Sequence, residues 1–331
     1  SPGARRCDGH ADAFGSRRLA AGEHGGAAMR FGVIVATGGG EWGPIADEIL
    51  ASEAAGLDEI WMVDHLLAPF DGSGPIYEVW TGLTAAAAIT ERIRVGSLVN
   101  CVSFRNVGVL AKQVATLDHV SGGRVELGLG AGWYEAEYRA FGLEFPTPAE
   151  RVRAFEETLD VLDLLFAGGP VDYEGEFVTL RGARCEPVPI QRPRPPILIG
   201  TAGKVMKGIV GQRADAWNCP AHALPDLDAQ RAAVMEAADG RRIRTTLQIP
   251  AAVGLDRASA DRWLEAARGP LSWMGDIEAV GIVGTVEEAV ERCLAYRDRG
   301  VDGFSCALPR GEARRPVLEA LGAVAEAVRA A

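Results

Sequence analysis

The chain has 331 residues, a formal net charge of −11 and 48% hydrophobic residues. This is enough for one large domain with a sizeable core, and no apolar run reaches bilayer-spanning length. The acidic balance argues against nucleic acid and anionic membranes as partners. Six cysteines (7, 101, 185, 219, 293 and 306) show no CxxC spacing, and five histidines form no HExxH motif. The expectation is therefore a soluble cytoplasmic protein with reduced thiols and no metal site.

Residues 1–28 are rich in Gly, Ala and Arg, lack apolar periodicity and lack the apolar core of a signal peptide. They read as a disordered N-terminal extension before a domain at 29–331. From there short apolar runs alternate with amphipathic stretches. The runs predict strands at 30–36, 59–63, 94–101, 125–129, 197–200, 215–218, 245–253 and 303–307. Helical patterns lie at 43–55, 76–91, 107–120, 148–166, 203–213, 226–238, 285–299 and 313–330. Strands separated by helices pair in parallel. Eight such repeats predict an α/β fold of the (β/α)8 TIM-barrel type. The long interruptions at 168–196, with a small hairpin at 171–178, and at 254–284 read as insertions. Function then belongs at the C-terminal ends of the strands.

Four strand ends carry candidate chemistry. The second strand ends in Asp64-His65, a carboxylate and an imidazole. They either hold and titrate a ligand or, more plainly, cap a turn and face solvent. The third strand turns polar at Asn100 and Cys101; Cys101 has no partner base in sequence and reads as a buried thiol. The fourth ends Gly128-Leu129-Gly130-Ala131-Gly132-Trp133, where three glycines give a flat or phosphorylated ligand close access to the main chain. The fifth leads through Gly200-Thr201-Ala202-Gly203 into a helix, which is either an anion site at a helix N-terminus or an ordinary βα turn.

These residues carry a family resemblance. Residues 29–309 resemble the bacterial luciferase-like superfamily of flavin and deazaflavin oxidoreductases. The motifs are Ile60-Trp61-Met62-Val63-Asp64-His65, Arg94-Val95-Gly96-Ser97-Leu98-Val99, Pro195-Pro196-Ile197-Leu198-Ile199-Gly200, Val283-Gly284-Thr285 and the block from Ala111 through Gly122-Gly123-Arg124 to Trp133. The Asp-His pair and the Gly-Leu-Gly-Ala-Gly-Trp strand end are similar to the branch that uses coenzyme F420. The resemblance implies a cofactor ring in the barrel mouth against a bulge at Leu98 and Val99 with a non-prolyl cis peptide. It implies ring contacts from Asn100, Ala131, Gly132 and Trp133, and a phosphate site on Gly200, Thr201, Ala202 and Gly203.

On this resemblance the chain is an F420-dependent oxidoreductase moving a hydride to or from a small organic molecule, with His65 as acid/base and Asp64 beside it. The alternative is an FMN-dependent monooxygenase fed by a separate reductase; a non-catalytic flavin-binding relative is a third reading. A homodimer and a separate flavin or F420 reductase are the implied partners. Two departures bear on substrate and cofactor. Arg105-Asn106-Val107 stands where relatives have Arg-His-Pro, and Trp133 stands where a sugar-phosphate dehydrogenase branch has glutamate. Trp263, Trp273 and Met274 fit either an apolar ligand or core packing.

Overall fold

A computed structural model describes residues 28–38, 40–69 and 74–331. The extension expected at 1–28 lies, but for its last residue, outside the described residues. In chain order the strands are β1 (Arg30–Ile34), β2 (Glu59–Met62), β3 (Arg94–Ser97), β4 (Asn100–Cys101), β5 (Val125–Gly130) and β6 (Val171–Glu174). They continue as β7 (Thr179–Ala183), β8 (Ile197–Gly200), β9 (Ala216–Cys219), β10 (Arg244–Gly254), β11 (Ile282–Thr285) and β12 (Gly303–Ala307).

Among the described residues eight parallel strands close a barrel in the order β1-β2-β3-β5-β8-β9-β10-β12 and back to β1. All eight coincide with the strands predicted from sequence. The barrel forms because the outward face of each strand is apolar and meets the apolar stripe of a helix. Phe31, Val33, Ile60, Val95, Leu127, Ile197, Ile199, Leu247 and Phe304 are all buried in that layer. The helices begin and end on local signals. Asn106 caps helix Val107–Ser121 by accepting from the Gly108 and Val109 amides, and Gly122 closes it at φ 67°.

The alternate residues face the barrel interior and stack in layers. At the N-terminal end Arg30, Glu59, Glu126 and Arg244 form an ion-pair network, joined from the side by Arg94. Two residues further along β2, the Trp61 indole fills the next layer. A Cβ on Gly32 would lie 2.6 Å from its Nε1, and one on Gly96 would lie 2.4 Å from its Cζ3. Trp61, Leu98, Leu198 and Ala216 make a small cluster distinct from the main core, with Ile34 and Val99 packed against it.

The insertions differ in detail from expectation. The hairpin is antiparallel, with its second arm at Thr179–Ala183, beyond the predicted 171–178. The segment 254–284 is not an uncoded loop. It holds helix Arg257–Arg268, which buries Ala260, Trp263 and Ala267, and strand β11, which extends the sheet along the upper half of β10. Trp263 and Met274 are therefore core residues rather than ligand contacts.

Candidate active site at the barrel mouth

The mouth is organised by a break in the third barrel strand. β3 stops at Ser97, the Leu98-Val99 peptide is cis as expected, and pairing with β5 resumes at Asn100 and Cys101. The bulge fits because β5 presents hydrogen atoms to it. A Cβ on Gly128 would lie 1.8 Å from the Ser97 carbonyl oxygen, and one on Gly130 would lie 2.6 Å from Val99 Cγ2. A Cβ on Gly200 would lie 3.2 Å from Val99 Cγ1. This corrects the sequence reading: the space at Gly128 and Gly130 is filled by the chain's own bulge, not by a ligand. Gly132 likewise packs on protein, since a Cβ there would lie 2.0 Å from Tyr138 Oη. What faces the mouth is the half-buried Val99 side chain, set among glycines above the Trp61 cluster. That is a flat apolar floor.

Asp64 and His65 diverge, as neighbours after a strand do. The buried Asp64 takes a bidentate fork from Arg105, Nη1 to Oδ2 at 2.6 Å and Nη2 to Oδ1 at 2.9 Å. It also accepts the Cys101 amide at 2.8 Å. Burial works against the Arg105 charge, but hydrogen bonding to Asp64 and its charge outweigh this and raise the guanidinium pKa. Both Asp64 oxygens are thus taken by protein donors. Asp64, expected among the catalytic residues, is a tie between the end of β2 and the start of β4. Asn100 is also committed to packing: its Oδ1 accepts from Trp80 Nε1 at 2.9 Å and from Arg105. Its Nδ2 is a buried donor with no protein partner. Cys101 is the buried thiol predicted. Its Sγ lies 3.0 Å from Tyr138 Oη, and burial pushes its pKa up.

His65 pairs with a buried carboxylate. Its Nδ1 lies 3.0 Å and 3.2 Å from the two oxygens of Glu137. The Glu137 side chain is 3% exposed and that of His65 14%. Glu137 also accepts the Leu66 amide at 2.8 Å, which pins the loop after β2. The Trp133 and Tyr134 rings stand edge-on to the imidazole, at centroid distances of 5.8 Å and 6.3 Å. Sequence reasoning missed Glu137. Its signal is faint: an acidic residue four places after Trp133, in the short helix Glu135–Ala140 that follows the glycine-rich strand end.

The turn after β8 is partly self-satisfied. The Thr201 amide donates to the Asn218 carbonyl at 3.2 Å, and the Gly203 amide donates to Thr201 Oγ1 at 3.0 Å. Of the predicted phosphate donors, Thr201 and Gly203 therefore have their amides engaged within the protein. The first-turn amides of Lys204, Val205 and Met206, in helix Lys204–Arg213, have no acceptor inside the helix and carry the positive end of its dipole. The unengaged amides thus lie one turn further along the chain than the glycines suggested. An apolar floor, a buried amide donor at Asn100, an imidazole and a helix N-terminus together fit a flat ring with a phosphorylated tail. A hollow of about 520 Å³ lined by Arg257, Asp261, Glu288 and Arg292 lies on another part of the surface and shares none of these groups.

A closed parallel barrel with these groups at the C-terminal ends of its strands is a TIM barrel with its working end where such enzymes have theirs. Residues 29–303 match the luciferase-like monooxygenase family model, and the chain belongs to that family. An F420-dependent glucose-6-phosphate dehydrogenase of Microbacterium testaceum is 31% identical over 206 residues, which are 61% of this chain and 60% of that protein. The chain thus spans less than two thirds of that relative's length. Two solved structures share the fold. An F420-dependent secondary alcohol dehydrogenase in complex with an F420-acetone adduct has a TM-score of 0.77 at 18% identity, covering 91% of this chain and 99% of that one. EDTA monooxygenase from Chelativorans has a TM-score of 0.73 at 15% identity, covering 91% and 94%. Among the described residues no helix is long and apolar enough to cross a membrane.

Proposed function

We propose that this chain is an F420-dependent oxidoreductase that moves a hydride between the deazaflavin and a small, uncharged organic substrate. The observation that carries the reading is the mouth itself: the Val99 floor, His65 beside it, and the helix N-terminus at Lys204–Arg213. The names of relatives such as the Microbacterium dehydrogenase support the choice of cofactor. Val99, Leu98 and the Asn100 side-chain amide would hold the ring, and the amides of Lys204, Val205 and Met206 would hold the phosphate. The deazaflavin, when bound, supplies hydride transfer at carbon with little reactivity toward oxygen. His65 gives or takes the proton that accompanies hydride transfer at the substrate oxygen or nitrogen. Trp133 and Tyr134 exclude water from that proton. With aromatic rings around His65, the reading favours an apolar substrate over a sugar phosphate.

The second reading is an FMN-dependent monooxygenase served by a separate reductase, which the family's own description favours. Titrating the purified protein with F420, FMN and FAD separates the two. Saturable F420 binding, tighter than FMN, is expected. Tight FMN binding with no saturable F420 signal would hand the site to the monooxygenase reading. Gly203→Asp tests the tail site. Gly203 has an ordinary φ of −69°, and the nearest atom to a Cβ there is 3.5 Å away, so the variant should fold. Its charge should weaken cofactor binding at least tenfold. We further propose that the chain acts as a homodimer.

A further inference from the structure

We infer that Glu137 is the positioning residue that makes Nε2 the working nitrogen of His65. This rests on the proposed role of His65, but the central measurement does not need the cofactor. A carboxylate only accepts hydrogen bonds, so the nitrogen that bonds to it carries a proton. Nδ1 lies within hydrogen-bonding distance of both Glu137 oxygens, at 3.0 Å and 3.2 Å. The neutral ring is therefore held as the Nδ1–H form, with Nε2 bare and able to accept a proton. The histidine side chain free in water prefers the opposite tautomer, with the proton on Nε2, so this state is imposed by the site. The imposition is firm because Glu137 is itself fixed: its Oε2 accepts the Leu66 amide at 2.8 Å and its side chain is 3% exposed.

The same geometry explains why an uncharged isostere should fail. In Glu137→Gln the amide has one acceptor oxygen where the carboxylate had two. Leu66 and Leu67 amides converge on the Oε2 position, at 2.8 Å and 3.4 Å, so the amide oxygen is drawn there. The amide NH2 then faces Nδ1, which must become an acceptor. The proton moves to Nε2, and the ring presents a donor to the mouth in place of a base. The loop keeps its anchor, so folding and cofactor affinity should be preserved. An amide in the carboxylate position of a serine-protease triad costs roughly 10⁴-fold through the wrong tautomer. A loss of about 10²–10⁴-fold in turnover, with KM for substrate nearly unchanged, is expected here.

The test is side-chain nitrogen NMR of His65 in protein with 15N-labelled histidine, assigned by comparison with His65→Ala. Above the titration of the ring, the native protein should show a protonated Nδ1 and an unprotonated Nε2. Glu137→Gln should show the reverse. An Nε2–H ring in the native protein overturns the inference, and that measurement does not depend on any variant folding. So does an unaltered tautomer in a folded Glu137→Gln. If the tautomer inverts as expected but neither F420 nor FMN binds the native protein, the positioning role stands and the proposed activity falls.

Discussion

The bulge in the third strand makes a sharp energetic prediction, because two glycines accommodate it in different ways. Gly130→Ala would place its Cβ 2.6 Å from Val99 Cγ2. Ordinary carbon contacts lie near ~3.5–4.0 Å, so the overlap is about 1 Å. Relief requires Val99 to leave its rotamer or β4 to move off β5, and overpacking of this kind costs roughly 1–3 kcal/mol. Val99→Ala removes two methyl groups that are only half-buried and should cost about 1 kcal/mol alone. In the double variant the clash has lost its partner, so the cost should fall back to about that of Val99→Ala, a coupling of ~1–3 kcal/mol. Gly128→Ala is the control. Its Cβ would meet the Ser97 backbone oxygen at 1.8 Å, which no change at Val99 can relieve. Urea unfolding with matched slopes reads these variants and the Gly128→Ala/Val99→Ala double. Additivity of Gly130→Ala and Val99→Ala within about 0.5 kcal/mol would refute the packing argument, as would rescue of Gly128→Ala by Val99→Ala.

Other parts of the molecule give further expectations. Arg105→Gln should destabilise by roughly 3–5 kcal/mol in the same assay, because it leaves the Asp64 carboxylate buried without its fork. Arg124→Leu should cost at least ~3 kcal/mol. The buried guanidinium donates to the carbonyls of Ser121, Ile93, Ala87 and Thr90 and to Thr90 Oγ1, and the orphaned acceptors cannot all reach water. Acid should weaken the fold through Glu126. Burial pushes this carboxyl up, but Arg244, Arg94 and Arg30 together hold it below the usual carboxylate range. A carboxyl lowered in the folded state stabilises above its unfolded pKa of about 4.3, and that stability drains away as the pH falls through the folded value. Glu59, raised by its own burial and by Glu126, acts in the opposite sense. Denaturant curves from pH 3 to 7 should therefore steepen their loss at the acid end, and Arg244→Met should move that loss to higher pH; an unshifted curve would mean the network does not control it.

The barrel was legible in the sequence because its strands announce themselves one at a time. Each is a short apolar run, and boundary residues such as Asn106, Gly122 and Thr285 mark where helices start or stop. Helix Arg257–Arg268 escaped although its pattern is amphipathic, because its narrow buried face of Ala260, Trp263 and Ala267 sits in a charged stretch read whole as an insertion. Strand β11 escaped because its apolar run is only Ile282 and Val283 before Gly284 and Thr285. The site was legible only where one strand end carries it. His65 was found in that way. Glu137 lies 72 residues from His65 and Arg105 lies 41 from Asp64, so both partnerships are made by barrel closure rather than by spacing. The glycines of β5 were read for their freedom to admit a guest. Their actual role, clearance for Val99 and Ser97, needs the register of two strands.

The Trp61 layer separates two acid–base regions within one barrel. Beneath it lie the carboxylates and guanidinia at the N-terminal end; above it lie Val99 and the mouth. Gly32 and Gly96 are closed against the indole, which fills the barrel between the two regions. Under the proposed function, a proton exchanged at His65 and the substrate would share one opening, the mouth. The pH response of the fold, set at the base, and the pH response of the chemistry, set at the top, become separate properties that mutation can tune one at a time.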